Sequence, residues 1–178
     1  MTEVRSYIAR LLLLLFFLAA AIAGFAKETK ANSWRAATDA ELKVLIPARA
    51  QVIQERIETE LRTASGITDG KGKYVASVVL ITAGYSAEGK YSHYFIAQVP
   101  VKVGDVQLNV GEYLIGWKHN EDSLTVNFYE AASGKFIGSV EAVRNASITG
   151  VASFRIWPPG DKSLIQVGRF TFPYQIAK

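Results

Sequence analysis

The sequence predicts a mainly β protein: an antiparallel sandwich or small closed barrel of about eight strands, preceded by a short N-terminal helical segment. Three observations predict it. Apolar and polar residues alternate through Tyr113, Ile115 and Trp117 and again through Leu124, Val126 and Phe128, the two-residue period of a half-buried strand. Turn-forming residues recur at short intervals: Asp69-Gly70, Glu88-Gly89, Gly104-Asp105, His119 to Asp122, Ser133-Gly134 and Pro158-Pro159-Gly160. Finally, Tyr74 to Ala83 is apolar on both faces, as in a central strand covered from two sides.

The chain opens with an address. Arg5 and Arg10 precede or border the apolar run Leu11 to Ala23, and small residues follow at Ala21, Ala23, Gly24 and Ala26. That order of charged, apolar and small residues is the pattern of a secretory signal peptide, residues 1–26. Cleavage after Ala26 leaves a polar start at Lys27, and cleavage after Ala23 is the alternative. An uncleaved anchor competes less well, because the 16 uncharged residues from Leu11 to Ala26 fall short of the ~20 a spanning helix needs. No cysteine follows the apolar run, which excludes lipid attachment of the lipoprotein type. The expected location is exported and bacterial, in the periplasm or outside the cell, with membrane contact only through an uncleaved signal segment. A chain with no cysteine fits that origin better than it fits a small eukaryotic secreted scaffold.

Residues 27–37 are polar and aperiodic and read as a tether; residues 38–178 read as one β-rich domain with a helical start. Thr38 and Glu41 have the spacing of a capping box, which starts a helix running to about Ile46, where Pro47 either breaks the helix or opens a new one at its first position. Residues 48–64 read two ways. Ile46, Ala50, Ile53, Ile57, Leu61 and Ala64 recur at helical steps among good helix formers, and this favours a helix. Ile57, Thr59, Leu61, Thr63 and Ser65 also alternate as in a half-exposed strand. Beyond Lys73 the chain is β throughout. Phe136, Val140 and Ala142 continue the alternation loosely, and the Pro158-Pro159-Gly160 turn joins Ala152–Trp157 to Ser163–Phe172.

The segment Val99-Pro100-Val101-Lys102-Val103-Gly104-Asp105, with Leu108, Gly111, Tyr113 and Trp117, resembles a hairpin of small exported all-β proteins of environmental bacteria. The resemblance spans about 20 residues and implies an all-β fold. Such proteins generally lack an assigned activity, so it implies no functional residue.

Composition narrows the chemistry. Without residues 1–26 the chain carries 18 basic and 15 acidic residues, a net charge of +3 over 152 residues. From Lys135 onward, Lys135, Arg144, Arg155, Lys162, Arg169 and Lys178 face two acidic residues, but they are singly spaced. Nucleic-acid binding is therefore not expected. His93 and His119 are too far apart for a local metal-ligand pattern, so a metal site would need the fold to bring them beside a carboxylate such as Asp122. No metal and no cofactor is expected. Gly84-Tyr85-Ser86-Ala87-Glu88-Gly89 places its second glycine one residue late for a nucleophile elbow. Gly66 to Lys73 lacks both the spacing and the following helix of a phosphate loop.

The remaining signal is aromatic. Tyr85, Tyr91, His93 and Tyr94 cluster around one turn, while Trp117 and Trp157 end strands beside turns. Aromatics with polar tips line the mouths of β-barrels and flat ligand sites, so these six are the candidate ligand-binding residues. The expected function is a non-enzymatic domain that binds an unknown small ligand or another cell-envelope protein. The alternatives are a hydrolase whose carboxylates, among Glu112, Asp122, Glu130 and Glu141, are assembled by the fold, and an eight-stranded outer-membrane barrel. Short strands, strands apolar on both faces and the terminal Gln175 to Lys178 weigh against the membrane barrel.

Overall fold

Strands follow wherever apolar side chains alternate, and the computed structural model, which describes residues 34–177, contains thirteen of them. In order they are β1 (Arg35–Ala36), β2 (Arg49–Val52), β3 (Glu55–Thr68), β4 (Tyr74–Leu80), β5 (His93–Ala97), β6 (Val101–Val103) and β7 (Val106–Leu108). Then come β8 (Gly111–His119), β9 (Ser123–Glu130), β10 (Phe136–Arg144), β11 (Ala152–Ile156), β12 (Leu164–Gly168) and β13 (Phe170–Ile176). One helix, α1 (Asp39–Leu45), separates β1 from β2. The signal peptide, both cleavage positions and residues 27–33 of the tether lie outside the described residues.

The main sheet runs β1-β3-β4-β5-β8-β9-β10-β13-β12-β11, with antiparallel neighbours throughout. It curls until β11 returns beside β3, where the Ile156 N–H donates to Ser65 Oγ at 3.0 Å. The result is a nearly closed barrel, the second of the two architectures expected. Alternation sends one side of each strand inward. Val75, Phe95, Ile115, Val126, Phe128, Phe154, Ile165 and Phe172 meet in the interior. Phe95 stacks edge-on against Phe128 and Phe154, and Phe128 against Phe172. These rings fill the barrel as a packed core. The β6–β7 hairpin, which carries the Val-Pro to Gly-Asp segment, pairs with the end of β13 and adds Val101, Val103, Val106 and Leu108 to that core.

A second core lies outside the barrel wall. Ala76, Val78, Tyr94, Ile96 and Leu114 point outward from β4, β5 and β8 and are covered by Leu42 and Ile46 near the helix and by Ala50, Val52 and Ile57 of the β2–β3 hairpin. This explains why Tyr74 to Leu80 is apolar on both faces; the strand ends at Leu80, short of Ala83. The helix starts as its sequence dictates. Thr38 Oγ1 accepts from the Glu41 N–H at 3.3 Å, and Glu41 Oε2 accepts from the Thr38 N–H at 2.8 Å.

Three expectations need correction. Residues 48–64 form no helix: β2 and β3 pair in the register Arg49↔Glu58 to Val52↔Glu55 across a two-residue turn. Burial decided this, because only a hairpin lays Ala50, Val52 and Ile57 together on the wall below them. Residues 34–37 are no tether either, since β1 pairs with β3 at Arg35↔Thr68 and Ala36↔Ile67 and Arg35 clamps Glu41 at 2.7 Å. Ser163 to Phe172 is two strands rather than one, turning at Gly168, whose φ of 61° suits glycine.

Candidate functional site

Three of the six aromatic candidates converge where β5 begins and β4 and β8 finish. Tyr91, His93 and Trp117 line a cavity of about 280 Å³ together with Thr82, Lys90 and Ser92. Strand alternation explains His93: it follows the inward series of Phe95 and Ala97, so its ring enters the barrel mouth. There it lies 5.1 Å from both the Trp117 and Phe154 rings, and it is only 3% exposed. Tyr91 precedes the strand, and its backbone rests on Gly116. A Cβ on Gly116 would stand 2.2 Å from the Lys90 carbonyl oxygen, so only glycine lets the segment lie this close to β8.

The hydrogen bonds define the state of His93. Ser92 Oγ donates to the Ile115 carbonyl at 3.1 Å, which leaves it to accept from His93 Nδ1 at 3.2 Å. The proton is thereby assigned to Nδ1, and Nε2 presents a bare lone pair. That nitrogen has no hydrogen-bond partner and is sealed from solvent. Burial pulls the imidazole pKa down to about 4, so the ring is neutral at ordinary pH.

Tyr91 repeats the pattern. It is 2% exposed, its ring meets Tyr129 edge-on at 5.2 Å, and Lys90 Nζ lies 5.0 Å from its centroid. Its hydroxyl has no partner. On its other side is a smaller cavity, about 240 Å³, lined by Gln54, Glu55, Ser86 and Lys90. There Ser86 Oγ donates to Glu55 Oε1 at 2.8 Å, and Oε2 is buried without a partner. So three of the four buried side-chain atoms without partners, among the described residues, flank one short segment. Each such atom costs about 1–3 kcal/mol.

The other candidates separate. Tyr85 packs against the outer core, and its hydroxyl accepts from Arg49 Nη2 at 3.3 Å. Tyr94, next to His93 but on the opposite face, is 1% exposed within that core, and burial pushes its hydroxyl pKa up, with Glu112 adding to the effect. Trp157 sits at the far end of the barrel, where β11 finishes. Sequence reasoning missed Lys90, Glu55 and Ser86, because turn residues carry no periodicity that marks which way they face.

Glu112, Asp122, Glu130 and Glu141 are all exposed. Asp122 precedes β9 and Glu130 ends it, while Glu112 lies on the strand face opposite the Tyr113 that pairs with Glu130. His119 is exposed at the end of β8, edge-on to Phe170, and the described residues hold no group of three His, Asp or Glu able to grip a metal. No protein-family model, curated protein or solved structure matches the chain.

Proposed function

We propose that the chain is an exported, non-enzymatic β-domain that binds a small, hydroxyl-bearing ligand at the barrel mouth. One observation carries the reading: His93 and Trp117 line one cavity with Tyr91, and His93 Nε2 is a buried polar atom without a partner. The bare Nε2 of a neutral imidazole accepts a hydrogen bond from a ligand hydroxyl. Trp117 is the half-exposed wall, so a ligand reaches Nε2 by displacing that ring. The barrel interior is filled by phenylalanine rings, which favours the mouth over the centre as the binding position.

The alternatives have less in their favour. A membrane barrel turns apolar residues outward, yet the outer face of the β9–β10 pair carries Thr125 opposite Glu141 and Asn127 opposite Ser139. Binding to another envelope protein would use the exposed Phe136, Ile137 and Val143 of β10, and these are interspersed with Ser139 and Glu141. A native mass spectrum of the full protein, purified from the envelope of its host, tests the proposal. The expected result is an excess mass that denaturation removes and that His93→Phe, which takes away the Nε2 acceptor, abolishes. A mass equal to the bare chain, or to a simple multiple of it, overturns the ligand reading in favour of a protein-interaction role.

A further inference from the structure

At the end of the barrel remote from His93, a groove of about 790 Å³ runs between the β6–β7 hairpin, the Pro158 to Ser163 turn and the end of β13. Its lining among the described residues includes Trp34, Lys102, Lys162, Ser163 and Gln175, and no carboxylate. Beside it, Trp157 carries two cations. Arg155 Cζ lies 3.9 Å and Lys162 Nζ 4.7 Å from the indole centroid. Among the described residues the ion pairs are Arg35–Glu41 and Arg62–Glu60, so Arg155, Lys162 and Lys102 have no acidic partner. Asp161 and Asp105 adjoin the groove-lining Lys162 and Gly104 in sequence, but both are exposed and neither is part of the lining. Like charges gathered on one ring repel, and an anion set among them turns that repulsion into attraction.

The arrangement is held in place. The Pro158 carbonyl lies within 3.0, 3.2 and 3.4 Å of the N–H groups of Asp161, Lys162 and Ser163 and accepts from all three. Ser163 has a φ of 51°, rare for a side-chain-bearing residue. Its hydroxyl donates to the Pro159 carbonyl at 3.1 Å, its own carbonyl accepts from the Tyr174 N–H at 3.1 Å, and the Tyr174 hydroxyl donates to the Trp157 carbonyl at 2.6 Å. A strained residue tied down from three sides fixes where Lys162 meets Trp157.

We infer that this groove is a second binding site, independent of the mouth, and that its ligand is an acidic oligosaccharide. Lys102 and Lys162 both line the groove and supply two cations for a ligand's carboxylates, and the half-buried Trp34 adds an aromatic side chain suited to a sugar ring. Ser163 and Gln175 supply hydrogen bonds to hydroxyls. An open groove of this size receives a chain of several rings rather than a single enclosed one.

Calorimetric titration of the full protein with a galacturonate tetramer, a neutral galactose tetramer and a tetraglutamate peptide tests the inference. The uronate is expected to bind, at least tenfold more tightly than either comparator and more weakly at high salt. Lys102→Glu and Lys162→Glu each weaken it about tenfold or more, whereas Lys118→Glu and Trp117→Ala, at the other end of the barrel, leave it unchanged. Absence of uronate binding overturns the inference. So does equal or tighter binding of the peptide, or uronate binding that both groove substitutions leave intact.

Discussion

His93 couples the candidate mouth site to pH. Its imidazole is buried between two aromatic rings without a partner for Nε2, and its pKa falls from 6.5 to about 4. Between those values the unfolded chain binds a proton that the folded chain refuses. Stability is therefore complete above about pH 6.5 and declines as the pH falls toward 4, by about 3 kcal/mol in total. The depressed carboxylates Glu41, Glu60 and Asp69 act with the same sign but at lower pH, as protonation ends their hydrogen bonds. His93→Phe keeps a planar ring and removes the titration. Urea midpoints at pH 7 and pH 4.5 should differ far less in this variant than in the wild type; equal losses in both would show that His93 is not the cause. The sequence marked His93 and Tyr94 alike, as neighbouring aromatics beside a turn. Only the strand's alternation separates them, sending His93 into the mouth and Tyr94 into the outer core.

At the scale of elements, legibility followed turn chemistry. The capping box of α1 was readable because Thr38 and Glu41 satisfy backbone N–H groups locally, whatever packs around them. The β2–β3 hairpin was not, because its turn residues, Ile53 and Gln54, are not those that favour turns. Ile53 holds a φ of 59°, an outlier for a β-branched residue. A distant contact accounts for it: the Ile53 N–H donates to the Ala131 carbonyl at 2.8 Å, and its Cδ1 lies 2.7 Å from where a Cβ on Gly134 would be. No local pattern announces a turn made by neighbours as distant in sequence as Ala131 and Gly134. Two glycines test this account. Gly70 and Gly134 have φ of 70° and 68°, but a Cβ at Gly70 meets nothing within 4 Å. Gly70→Ala should cost about 1 kcal/mol for the left-handed backbone alone. Gly134→Ala should cost about 1–3 kcal/mol more, because Ile53 is also displaced. Denaturant unfolding of the two variants measures the difference, and equal costs would remove the contact as the reason for the turn.

For the whole molecule, the decisive feature is the seam between β11 and β3. Strand signals in the sequence were enough for an antiparallel class, but sandwich and barrel differ only in whether the last strand meets the first. Here they meet without a continuous ladder. β3 bulges between Glu60 and Ser65, where Thr63 Oγ1 stands in for a backbone carbonyl and accepts from the Val79 N–H at 3.0 Å. That departure leaves Ser65 to accept from the Ile156 N–H, a side chain doing the work of a neighbouring strand. Ile156 is buried, so Ser65→Ala strands its N–H away from water, at a cost of about 1–3 kcal/mol. The loss should be local before it is global. Amide exchange at Ile156 should speed up while the centre of the β8–β9 pair keeps its protection, because that pair shares no bond with the seam. Ser65→Thr, which keeps the hydroxyl, should restore protection at Ile156. If Ser65→Ala instead left the Ile156 amide as slow as before, the barrel would be closed by interior packing of Phe154 and Ile156 alone.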